Sequence, residues 1–276
     1  VAAFVASAID FVNNKPPDGS IVITITGDEE GEAVDGTVAI LDWMQQNDEK
    51  IDHCLVGEPT SPSQMGEMMK IGRRGSMNAK ITATGTQGHS AYPDRANNPI
   101  VAMVKLLDKL ESHQLDVGTE HFDPSTLAIT SVDTGNKASN VIPAVTKAAV
   151  NIRFNDSHSG SSLVSWLKDE IEKVSAEYGI KFETDFKISG ESFITPPGEL
   201  SDLISEAVKK ELGVTPKLST TGGTSDARFI KDMCPVTEFG LVGKTMHAVD
   251  EKVETKQINQ LKEIYYRILE AYFEKT

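Results

Sequence analysis

The chain has 276 residues, 39% of them hydrophobic and 6% aromatic, enough for one large domain or two medium ones with packed cores. Its 41 acidic and 27 basic side chains leave a net charge of −14, which argues against nucleic acid as the main partner. No apolar run approaches the roughly 18 residues needed to cross a bilayer, which argues against a membrane span.

In chain order, Val1–Asn13 predicts a helix with Val1, Phe4, Val5, Ile9 and Val12 on one stripe. It has no basic n-region or cleavage site, so it reads as a buried helix rather than a signal peptide. The chain opens without Met and inside this helix, which reads as a fragment. Ile21–Thr26 is a β-branched run predicted to be a strand buried on both faces of a parallel sheet. It ends in the acidic turn Asp28-Glu29-Glu30. A helix is predicted over Thr37–Asn47 and a short strand over His53–Val56, which ends at Gly57-Glu58-Pro59. In open α/β sheets ligands sit beyond the carboxyl ends of strands, and both acidic loops fall there.

Residues 72–188 change character. Met77–Thr84, Ser125–Val132, Val145–Phe154 and Lys181–Ile188 read as strands, and Pro99–His113 and Ser161–Tyr178 as helices. The order β-α-β-β-α-β is ferredoxin-like. A helix over Leu200–Leu212 closed by Gly213, a strand over Pro235–Phe239 and a final helix over Ile258–Tyr272 then resume the first pattern. The fold class expected is α/β: a doubly wound, mostly parallel sheet over residues 1–71 and 189–276, incomplete at its N-terminus, with an inserted ferredoxin-like α+β domain at 72–188. The two cysteines, Cys54 and Cys234, sit in apolar contexts and read as reduced, structural thiols of a cytoplasmic protein.

Four constellations bear chemistry. Three adjacent carboxylates at a buried strand end repel one another unless a cation sits there; the alternative is a solvated acidic turn. Glu58 adds a carboxylate on the same sheet edge, stiffened by Pro59. His247, followed by Asp250 and Glu251, is either a metal-binding imidazole oriented by a carboxylate or a surface loop histidine. His89, in Gly88-His89-Ser90, is either an electrophile reaching across a cleft or a turn histidine. Gly222-Gly223-Thr224-Ser225-Asp226 has the small residues of a ligand-contacting turn.

Taken in order, Thr26-Gly27-Asp28-Glu29-Glu30-Gly31, Gly57-Glu58-Pro59-Thr60, Gly88-His89-Ser90 and the late His247 resemble the dinuclear zinc deacylases and peptidases. The resemblance runs along essentially the whole chain. Several segments look like the succinyl-diaminopimelate desuccinylases: Gly72-Arg73-Arg74-Gly75-Ser76, Gly88–Pro93, Asn140-Val141-Ile142-Pro143 and Gly222–Phe229. The resemblance implies two zinc ions per complete site, with cobalt as a substitute. It makes Glu29 the general base and acid. Glu30 and His247 would hold one metal and Glu58 the other. His89 would stabilise the oxyanion in the partner subunit's site. Arg73, Ser76, Tyr92, Asn140, Arg153, Gly223 and Thr224 would grip a small two-carboxylate substrate. The insert would be the lid and homodimerisation domain.

The implied reaction is hydrolysis of N-succinyl-LL-2,6-diaminopimelate to succinate and LL-diaminopimelate, a step of lysine biosynthesis. Members of the family also carry a His-x-Asp motif and a bridging Asp upstream of the helix that begins here at Val1. Without them, weak zinc binding and impaired turnover are expected. An acetylornithine deacetylase or aminoacylase with the same chemistry, and a non-catalytic metal- or amino-acid-binding remnant, are the rival readings.

Overall fold

The computed structural model describes residues 1–31 and 33–275. The elements begin with α1 (Ala2–Asn14), α2 (Thr37–Gln46), β1 (Cys54–Val56), β2 (Met68–Lys70) and β3 (Gly72–Arg73). There follow β4 (Gly75–Thr84), β5 (Gly88–His89), α3 (Pro99–Ser112), β6 (Thr126–Asp133), β7 (Val141–Ile142), β8 (Val145–Phe154), α4 (Gly160–Tyr178), β9 (Lys181–Gly190) and β10 (Phe193–Ile194). The chain closes with α5 (Glu199–Leu212), β11 (Lys217–Ser219), α6 (Ala227–Ile230), β12 (Val236–Glu238) and α7 (Thr255–Lys275). It divides into two compact units: Val1–Arg73 with the chain from Ile194 onward, and Arg74–Phe193.

The first unit is built on a four-stranded sheet in the order β1-β12-β2-β11. β1 runs parallel to β12, and β11 parallel to β2, while β12 and β2 meet antiparallel at Glu238 and Lys70. Met69, Ile71 and Phe239 bury one face against Leu200, Ile204 and Val208 of α5 and Leu261, Ile264 and Ile268 of α7. Tyr265, fully inside, donates its hydroxyl to the Phe239 carbonyl at 2.7 Å, satisfying a polar tip that burial would otherwise penalise. Gly213, at φ +74°, takes the left-handed position that ends α5.

Two expectations fail in this unit. Ile21–Thr26 is not a strand: among the described residues no ladder pairs with it, and Val22, Ile23 and Ile25 are exposed. A strand needs a neighbour's backbone groups, and β1 pairs only with β12. The buried face of α1 is also not the expected stripe. Ala3, Ser7 and Phe11 are inside, whereas Val1, Ile9 and Val12 are exposed. The small side chains at 3 and 7 set the face that packs on α7, and beside them Phe4 stacks on Tyr265 with ring centroids 4.0 Å apart.

The second unit carries an antiparallel sheet in the order β6-β8-β4-β9, the strand order of a ferredoxin-like motif, with α3 and α4 packed on it. β4 alternates buried and exposed positions, so Met77, Ala79, Ile81 and Ala83 face the helices. Leu106, Leu107 and Leu110 of α3 and Leu163, Leu167 and Ile171 of α4 complete the core. Asn98 caps α3 through the Ile100 amide, with Pro99 in its first turn, and Ser159 and Ser162 form a capping box on α4. β6 is an exposed edge strand.

Candidate active site

The chemistry of the first unit gathers where β1 and β12 end. In register Val56 lies beside Glu238, and the Phe239 amide donates to the Val56 carbonyl at 3.0 Å. The chain therefore delivers Glu58 and Gly240 side by side. A Cβ at Gly240 would run into the Glu58 carbonyl oxygen. The Gly27–Gly31 turn is shaped by Asp28, whose Oδ2 accepts the Val34 and Asp35 amides at 2.6 and 3.0 Å. Asp28 thus organises the loop and presents Glu29 and Glu30. His247 sits in a second loop in the left-handed region, at φ +59°. The Thr245 hydroxyl closes that loop by donating to the Lys252 carbonyl at 2.8 Å and accepting its amide at 3.0 Å. The loop is tied back to the sheet by the Gly243 amide on the Ser61 carbonyl.

These loops bring His247 Nε2 to 3.7 Å from Glu30 Oε1. Glu29 is half-buried, and burial, then the charges of Glu30 and Asp226, push its carboxyl above the usual range. Glu58 is pushed up to about 7, first by burial and then by Glu238 and Glu29. Asp226 is 6% exposed; its Oδ2 accepts the Thr37 hydroxyl at 2.7 Å, while its Oδ1 is buried without a hydrogen-bond partner.

A cluster of carboxylates that suppress one another's ionisation, beside an imidazole, is in kind what a divalent cation stabilises. In number it falls short: among the described residues no three His, Cys, Asp or Glu side chains lie close enough to hold one ion. Glu30 and His247 form a pair, and Glu58 stands apart from it.

The other expected residues divide between the units. Arg73 is buried. Its Nε lies 3.0 Å from both Glu238 oxygens, its Nη2 is ion-paired to the same carboxylate, and its Nη1 donates to the Gly223 carbonyl at 3.0 Å. It is therefore engaged inside the protein rather than poised at a surface. Gly223 is exposed and Thr224 partly so. In the second unit, Ser90 donates its amide to the Asn140 carbonyl and His89 pairs with Val141, which gathers His89, Tyr92 and Asn140 on one ribbon. The Ala91 amide donates to His89 Nδ1 at 3.1 Å. Ser76 lies opposite Arg153 and is buried. Burial and the neighbouring Arg74 lower the affinity of Arg153 for its proton.

Glu238 escaped the sequence reading, and Ser225 and Asp226 entered it only as part of the Gly222–Asp226 turn. One signal was available for Glu238: it is an acid within the otherwise apolar strand segment Val236–Phe239, where a charge must be paired.

The fold and the relatives it matches define a metal-dependent amide hydrolase. Residues 71–179 match the family model described as the peptidase dimerisation domain. A succinyl-diaminopimelate desuccinylase of Cereibacter sphaeroides is 65% identical over 273 residues, which are 99% of this chain and 72% of that protein. Succinyl-diaminopimelate desuccinylase 1 of a Ruegeria species is 66% identical with the same coverage. The chain belongs to the succinyl-diaminopimelate desuccinylase family. Among solved structures, aminopeptidase PepT of Bacillus cereus shares the fold at a TM-score of 0.78 and 19% identity, over 97% of this chain and 69% of its own. No helix among the described residues is long and apolar enough to cross a membrane.

Proposed function

We propose that this chain hydrolyses the succinyl amide of N-succinyl-LL-2,6-diaminopimelate, releasing succinate and LL-diaminopimelate. The observation that carries the reading is the raised Glu29 carboxyl, one residue from the Glu30–His247 pair and beside a Glu58 pushed up to about 7. The names of the relatives at 65% and 66% identity support the substrate.

In this reading Glu30 and His247 would contribute two ligands to one divalent cation and Glu58 one ligand to a second, with zinc as the metal and cobalt as a substitute. Bound metal supplies Lewis acidity toward the amide oxygen and toward water. Glu29 takes the proton of the attacking water and returns it to the leaving nitrogen; a carboxyl whose burial and acidic neighbours raise its proton affinity suits both halves of that task. His89 Nδ1 accepts a backbone amide, so the ring proton lies on Nε2, the tautomer that donates to an oxyanion. One such donor is worth about 3–4 kcal/mol in a transition state. His89 serves the partner subunit's site in a homodimer built through residues 72–188; the dimerisation-domain match supports the dimer. Tyr92, Asn140, Arg153, Gly223 and Thr224 contact the substrate. The reaction is cytoplasmic, a reading supported by the two cysteines, Cys54 and Cys234, both free thiols.

Glu29→Gln tests the base. Turnover is expected to fall by at least about a hundredfold with zinc content unchanged, and near-normal turnover removes the assignment. Rates on N-succinyl-diaminopimelate and N-acetylornithine, measured side by side, test the substrate; faster turnover of N-acetylornithine overturns it.

A further inference from the structure

Glu238 is 1% exposed at the end of a central strand, with Val56 on one side and Lys70 on the other. A carboxylate in that position persists only when fully engaged. Its Oε1 accepts Arg73 Nε at 3.0 Å and the Ser225 hydroxyl at 2.6 Å. Its Oε2 accepts Arg73 Nε at 3.0 Å and is ion-paired with Nη2. The remaining edge of the guanidinium faces the loop: Nη1 donates to the Gly223 carbonyl at 3.0 Å. Gly222, at φ +105°, lies against the same nitrogen, and a Cβ there would come within 2.7 Å of it. Glycine is required twice over, for the backbone angle and for the close approach. One planar cation thus joins the sheet to the Gly223 peptide of the Gly222–Asp226 loop, with Gly222 close against it, while Ser225 fastens the far side of that loop to the same carboxylate.

We propose that Glu238, Arg73 and Ser225 are positioning residues that hold the Gly222–Thr224 segment in the shape that binds the substrate. The inference rests on the proposed function, in which Gly223 and Thr224 meet the diaminopimelate substrate. Each of the three guanidinium nitrogens makes a contact within the protein, which ties Arg73 to the sheet and to the loop at once. Lysine cannot replace it, since an ammonium is a point charge without the rigid fork that spans carboxylate and peptide together.

The test is steady-state kinetics on N-succinyl-LL-2,6-diaminopimelate with the metal-loaded full-length enzyme, alongside melting temperatures, for Gly222→Ala, Arg73→Lys and Glu238→Gln. Because the loop binds without touching the reacting bond, KM is expected to rise about tenfold or more while kcat stays within about threefold. Gly222→Ala leaves the buried ion pair chemically intact, so it decides the matter if Glu238→Gln fails to fold. Thr224→Ala supplies a second readout that a merely structural role would not move. If Gly222→Ala acts through the loop, combining it with Thr224→Ala adds little to either change alone. A folded Gly222→Ala with wild-type KM, a fall in kcat with KM unmoved, or fully additive changes in the double variant overturns the inference. An inactive wild type sinks the proposed function and this inference with it; an active wild type with an unmoved Gly222→Ala sinks the inference alone.

Discussion

Glu58 should make the metal-free protein less stable as pH rises. Its ordinary value is 4.5, and in the fold burial, then Glu238 and Glu29, push it up to about 7. Between those values the folded chain holds a proton that the unfolded chain has released, so stability falls with increasing pH across that window. The penalty is absent below 4.5 and complete above about 7. At about 1.36 kcal/mol per pH unit the gap corresponds to about 3 kcal/mol. Solvent screening at a half-buried group brings this to about 1–2 kcal/mol. Urea unfolding of the EDTA-treated protein, at intervals from about pH 5 to about pH 8, reads it directly. Wild type should lose about 1–2 kcal/mol more over that range than Glu58→Gln, which has no carboxylate to ionise. Added zinc should reverse the trend at the alkaline end by favouring the ionised carboxylate, and should do less for the variant. Parallel pH profiles for the two proteins would refute the reasoning.

His247→Ala should leave the melting temperature nearly unchanged, because its contact with Glu30 is exposed (64% and 77% side-chain exposure) and such pairs stabilise little. Its zinc content by metal analysis should fall, and a large drop in melting temperature in metal-free buffer would show that the loop is structural instead. Gly240→Ala should destabilise by about 1–3 kcal/mol in chemical denaturation, since its Cβ meets the Glu58 backbone rather than a yielding side chain. If His89 serves the partner's site, mixing inactive His89→Ala with inactive Glu29→Gln subunits should restore measurable turnover; verified mixed dimers with none count against it.

Much of the second unit is legible in its sequence because its signals are local. Alternation along Met77–Thr84 and the helical spacing of Met103, Leu107 and Leu110 and of Leu163, Leu167 and Ile171 each specify an element without knowledge of its neighbours. The failures lie where a neighbour decides. Ile21–Thr26 has every residue preference of a strand, yet nothing described lies beside it to complete a ladder. In α1 the apolar stripe lost to Ala3 and Ser7, because close approach to α7 rewards small side chains more than greasy ones.

The candidate site divides in the same way. Glu29, Glu30, Glu58 and His247 are visible as acids and an imidazole in loops after predicted strands, where side-chain type and position already suggest chemistry. What the sequence alone determines is therefore which groups are offered and, for Glu58 after β1, on which sheet edge. Their relations belong to the tertiary structure: the 3.7 Å approach of His247 to Glu30, the burial and then the neighbouring carboxylates that push Glu58 up to about 7, and the engagement of Arg73 with Glu238 across 165 residues of chain. Burial and charge–charge distance set those properties, and both depend on chain segments far apart in sequence that only the folded sheet brings within reach of one another.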